Sequence, residues 1–102
     1  MAAIGAVIGA GCHVIGWLLP RVGAGLIERA NVAVYRRLVR LAEAAGRPDL
    51  AAELAALGQV EVDHAAFFFG QVGRHAIGRR LPRRLVALTP AEAAAFSARA
   101  TG

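Results

Sequence analysis

Three residues of this chain combine metal-binding chemistry with helical spacing. Glu61-Val62-Asp63-His64 sets a carboxylate and an imidazole three positions apart, so both side chains emerge on one face of an α-helix. Glu28 supplies a second carboxylate 33 positions earlier. Carboxylate and imidazole donors together suit Fe(II), with Mn(II) as the alternative. A carboxylate can bridge two metal ions, while an imidazole caps one and leaves a position open for oxygen. Taken singly, each residue has an ordinary explanation. Glu28 alone would be a helix N-terminal residue favoured by the dipole, a lone Glu-x-x-His arises by chance, and a lone histidine is more often packed than ligating. Tyr35, seven positions after Glu28, would be a core aromatic. The joint pattern points to metal, because ionised Glu is rarely buried unless it is paired or coordinated.

These residues need two helices to position them. With Glu28 as origin and about 100° per residue, Arg29, Arg36, Arg37, Arg40 and Glu43 fall on a solvated face. Ile27, Val34, Tyr35, Leu38, Val39, Leu41 and Ala42 fall on the opposite one, with Glu28 among them. This predicts an amphipathic helix from Val22 to Ala45. Gly46-Arg47-Pro48-Asp49 then stops one helix and starts the next, since Gly favours the C-cap and Pro the first helical position. So short a connection makes the helices antiparallel neighbours. The second helix is expected from Pro48 to about Arg80, with a bend at Gly70 or Gly73. On it Leu50, Leu54, Leu57, Phe68 and Val72 lie within about 40° of Glu61. His64 lies on the flank of that stripe, with Glu53, Gln71 and His75, while Asp63 points away. Pro82 breaks the chain. Thr89-Pro90-Ala91-Glu92 reads as a capping box opening a short Ala-rich helix that ends near Arg99, with the remaining tail loosely held.

The stretch "LIERANVAVYRRL" followed by "LAALGQVEVDHAAFF" resembles the ferritin-like superfamily, in particular the rubrerythrin and demethoxyubiquinone hydroxylase types. There a Glu is followed seven residues later by a Tyr, and a Glu-x-x-His comes about 33 to 35 residues after the first Glu. Glu28, Tyr35, Glu61 and His64 match at spacings of 7, 33 and 36. "GCHVIGWLLPRVGAGLIERANVAVY" further resembles the stretch leading into this hairpin in bacterial relatives of the hydroxylase. The resemblance spans Ile4 to Pro82 and is most specific from Glu28 to Phe69. It implies a di-iron centre and a Tyr35 that hydrogen-bonds a ligand. It also implies two hairpins, with four Glu and two His, whereas this chain has one hairpin and three ligands. Either a symmetric homodimer, or a higher homo-oligomer, brings two sets together at a two-fold axis, or the chain is a degenerate relative without metal. The activities implied are oxygen-activating oxidase or hydroxylase, or ferroxidase; the alternative is a metal-free helical module acting in protein or membrane-surface interaction.

The totals agree with a small all-α protein. The chain has 102 residues, enough for one modest core. It is 57% hydrophobic and rich in Ala, and no segment alternates as a strand does. Ala2 to Leu19 is apolar apart from His13. It lacks a basic lead-in suited to a signal peptide and is short for a membrane span, so a buried or interfacial helix is the favoured reading. Gly5 and Gly9, and Cys12 and Gly16, give it small faces. Cys12, the one cysteine, is expected to pack as a small hydrophobe, and gives no sign of an oxidising compartment. The formal charge is +5, carried by Arg alone. The Arg74–Arg84 cluster and Ala2–Leu19 suit a membrane surface. No interleaved aromatics or binding motif favour nucleic acid. The expected organisation is an apolar N-terminal helix (1–20), a ferritin-like hairpin (21–81), and a basic linker with a short C-terminal helix (82–102). A four-helix bundle would be completed by dimerisation, in the cytoplasm and peripheral to the inner membrane.

Overall fold

The computed structural model describes residues 2–97. These are helical, and no strand occurs among them. Helix α1 (Ala2–His13), a π-helical turn (Val14–Leu18) and α2 (Leu19–Ala44) run on as one 43-residue helix. Pro20 therefore does not end the N-terminal segment as expected. In the π turn the Leu19 N–H reaches back to the Val14 carbonyl. The ladder has already left α-register where Pro20, which has no N–H, enters the first turn of α2.

Helix α2 closes on a Schellman motif. Gly46 takes φ +71°, its N–H donates to the Glu43 carbonyl, and Arg47 N–H donates to that of Ala42. Helix α3 (Pro48–Arg74) starts with Pro in its first turn and ends six positions before the expected Arg80. His75 adopts an extended backbone, and its Nδ1 accepts the N–H groups of Ile77 and Gly78. The chain then turns through a 3₁₀ segment (Gly78–Arg80) into α4 (Arg83–Val86) and α5 (Pro90–Ala93). Thr89 and Glu92 form the reciprocal capping box anticipated from sequence. Helix α5 stops at Ala93, and an end near Arg99 lies outside the described residues.

Helices α2 and α3 pack antiparallel, with Arg21 bonded to Gln71 and Asn31 to Glu61. The buried seam of α3 is Ala51, Ala55, Gly58, Val62, Ala65, Phe69 and Val72. Its alternating spacing of four and three is that of a coiled-coil seam. It faces Gly25, Val32, Val39 and Ala42 of α2. The expected leucine stripe is therefore displaced by one residue: Leu50 and Leu57 are exposed, as are Ile27, Val34, Leu38 and Leu41. Each helix carries two apolar stripes. The hairpin closes on the one with smaller side chains, which lets the backbones approach, and leaves the larger one open.

The opposite side of the hairpin is covered. Phe96 lies over Gly58, where an added Cβ would collide with its ring, and Val86 joins Leu18, Ala65, Phe69 and Val72. Arg29 was expected on a solvated face. It instead forms two bonds to Glu92 and donates to the carbonyls of Arg84, Leu85 and Ala87. It thus ties this C-terminal strap to α2, and the chain is packed as far as Phe96; the tail expected to be loosely held lies outside the described residues. At the other end α1 has no buried residue, so it is not a core helix within this chain. Cys12 is exposed rather than packed.

Candidate metal centre

The antiparallel seam sets the level at which α2 and α3 face each other, and Glu28 and Glu61 fall at the same level on its open side. One oxygen each from Glu28 and Glu61 and one ring nitrogen from His64 lie within 4.8 Å of one another. His64 Nδ1 is 3.7 Å from Glu28 Oε2. Asn31, one turn after Glu28, donates from Nδ2 to Glu61 Oε2 at 3.3 Å. This amide was not picked out from sequence, although its position three residues after a candidate ligand on the same face was a usable signal. It restrains the Glu61 carboxylate, as an outer-shell partner restrains a ligand.

The environment of the three groups is uneven. Glu28 and Glu61 are half-buried, while His64 is exposed. Glu28 Oε2 is buried without a hydrogen-bond partner. The Glu28 carboxyl is raised above its ordinary value. Proton sharing with the neighbouring Glu61 carboxylate is the largest cause, followed by burial and then the Glu61 charge, with His64 opposing them. Two adjacent carboxylates and a buried orphan oxygen are costly in a metal-free site. A divalent cation would remove both costs, and the oxygen and imidazole donors fit a hard to borderline ion. The three donors could hold a divalent cation.

Tyr35 packs against the core cluster around Val32, Val39 and Ala55. It makes no hydrogen bond to Glu28, Glu61 or His64 among the described residues. Gln71 and His75, on the same flank of α3 as His64, belong to a separate cluster with Arg21 and His13. No protein-family model matches the chain, and neither a curated protein nor a solved structure matches it.

Proposed function

We propose that this chain forms half of a ferritin-like di-iron carboxylate centre. Two copies pair through the open face of the hairpin, and two sets of Glu28, Glu61 and His64 hold two iron ions, with manganese as the alternative. The reading rests on one observation: three donors from two helices converge within 4.8 Å on the side that keeps its larger apolar stripes uncovered. Three ligands are too few for two ions, so the site needs a second copy. The same apolar stripes flank it, with Ile27, Val34 and Leu38 on α2 and Leu50, Leu57 and Phe67 on α3 exposed.

Bound iron would supply electron transfer to oxygen, which suits an oxygen-activating oxidase or hydroxylase, or a ferroxidase. The chain's own residues would bind and orient. Glu61, restrained by Asn31, is the carboxylate suited to being shared between two ions. Glu28 and His64 would complete the donors of each. The apolar stripes of two copies would exclude water from the centre. Tyr35, half-buried against the core cluster, is the ligand-orienting side chain that the resemblance implies.

Iron per chain, measured after anaerobic reconstitution with Fe(II) and read with mass from light scattering, tests this. About one iron per chain in a dimer supports a shared two-iron site. No iron above background in a well-folded helical protein would replace it with a metal-free helical module. In that case the exposed α1 would make a membrane-surface role the better reading.

A further inference from the structure

The end of the hairpin remote from the Gly46 turn carries a second cluster, independent of the carboxylates. At the π turn His13 Nε2 lies 3.0 Å from His75 Nε2. The rings of His13, Trp17 and His75 stack with centroids 4.9 to 5.8 Å apart. The Arg21 guanidinium sits 4.2 Å over the Trp17 ring, bonded to Gln71 Oε1 and the Trp17 carbonyl. Trp17, Gln71, Arg74, His75 and Ala76 line a cleft of about 430 Å³.

The two histidines do not make a good metal pair. His75 Nδ1 accepts two backbone N–H groups, so in the neutral ring the proton sits on Nε2, where it is donated to His13. A ligating histidine has the reverse arrangement, with the outer nitrogen donating. What the cleft offers is positive charge beside an aromatic ring.

Its surroundings identify the occupant. The helix beyond it, Ala2–His13, has no buried residue and no Asp, Glu, Lys or Arg, and Val7 is 72% exposed and Ile8 61%. Arg21 and Arg74 stand at its base, Arg79 and Arg80 follow in the turn after α3, and no Asp or Glu occurs in residues 2–27 or 64–91. Ala2 to Leu18 extends about 25 Å at 1.5 Å per residue, most of the ~30 Å hydrocarbon thickness of a bilayer. An apolar rod, a tryptophan at its foot and an arginine collar reproduce the order of hydrocarbon, interface and anionic headgroup.

We propose that α1 inserts into an anionic bilayer to the depth of Trp17, and that the cleft between Trp17, Arg74 and His75, beside Arg21, seats the phosphate of an anionic phospholipid. The carboxylate site then stands in water on the hairpin, at a fixed distance from the membrane.

Trp17 is the single tryptophan of the chain, so its fluorescence reports this site alone. The full chain is mixed with vesicles of phosphatidylcholine, or of equal parts phosphatidylcholine and phosphatidylglycerol, and floated on a density gradient. Matching vesicles with brominated acyl chains measure depth. Flotation with the anionic vesicles, surviving high salt, is expected, with Trp17 quenched most by bromines nearest the headgroup. Ile8→Asp changes a fully solvated position and should keep the helical circular dichroism while reducing binding more than tenfold. Arg21→Ala and Arg74→Ala should each weaken anionic-vesicle binding about fivefold and leave neutral-vesicle binding unchanged. Binding abolished by salt, or unaffected by Ile8→Asp, would overturn insertion. Strongest quenching at the bilayer centre, or equal loss on both vesicle types in the arginine variants, would overturn the phosphate seat.

Discussion

Glu28 is held in a position that is costly to the metal-free fold. Its Oε2 is buried without a hydrogen-bond partner, 3.7 Å from His64 Nδ1, and faces a second carboxylate. Glu28→Gln keeps the shape, removes the like-charge contact, and should leave metal-free stability unchanged or raise it by up to about 1 kcal/mol. Mn(II) is expected to raise the thermal midpoint of the parent protein, and the same variant should lose that rise. A loss of stability without metal would show that Glu28 is held by contacts other than those described. Arg29 is the opposite case, a charge with every partner present. Arg29→Ala should cost about 2–3 kcal/mol in denaturant unfolding, since it leaves three carbonyls and Glu92 unmatched. The Arg29 hydrogen bonds hold the Glu92 carboxyl below its ordinary value of 4.5. A depressed carboxyl contributes stability that is fully present above that value and lost as pH falls through the lower, folded one. Glu92→Gln should therefore be less stable than the parent at neutral pH and converge with it in acid. The convergence of the three donors was legible in their helical spacing, while their inward placement was not: Glu28 and Glu61 are half-buried and His64 is exposed. The role of Arg29 was not legible, because its partner Glu92 lies 63 positions away.

At the level of elements, turn chemistry was the most readable part of the chain. Gly46 was assigned the helix stop and takes the left-handed conformation that the Schellman motif needs. Gly46→Ala should cost about 1 kcal/mol, measured by urea unfolding, because Ala resists positive φ. The Thr89–Glu92 box was legible for the same reason: both partners lie within four residues. The boundary expected at residue 20 did not appear, because a proline ends an α-helix only where the ladder expects its N–H, and the π turn shifts that ladder. The choice of seam was illegible as well. Each helix has two apolar stripes, and a 100° projection ranks them by hydrophobicity, whereas backbone approach selects the one with smaller side chains. Gly58 reports that selection. Gly58→Ala would push its Cβ into the Phe96 ring and should destabilise by about 1–3 kcal/mol. Phe96→Leu in the same chain should restore part of the loss, giving a non-additive cycle. Additive losses would mean that the strap does not rest on Gly58.

The whole molecule is a rod of 67 × 18 × 17 Å, in which two helices carry a buried seam, a strap on one side and uncovered apolar stripes on the other. On the proposed reading, with two copies paired through the uncovered side, assembly and metal binding would be one equilibrium. Without metal, pairing two copies through this face would bring four carboxylates together, and their repulsion opposes the apolar gain. With metal the charges are neutralised and the apolar stripes can close. Metal that binds only the paired form must tighten pairing by the same factor that pairing tightens metal. Mn(II) should accordingly lower the dissociation constant of the dimer in sedimentation equilibrium, and dilution should release metal. Leu38→Glu separates this linkage from the ligands, because Leu38 is 37% exposed on α2 and lies outside the triad. It should yield a folded, helical monomer with Glu28, Glu61 and His64 intact and with metal affinity reduced at least tenfold. A monomeric Leu38→Glu that still holds about one ion per chain as tightly as the parent would mean that the three donors suffice alone, and that the open face serves another purpose.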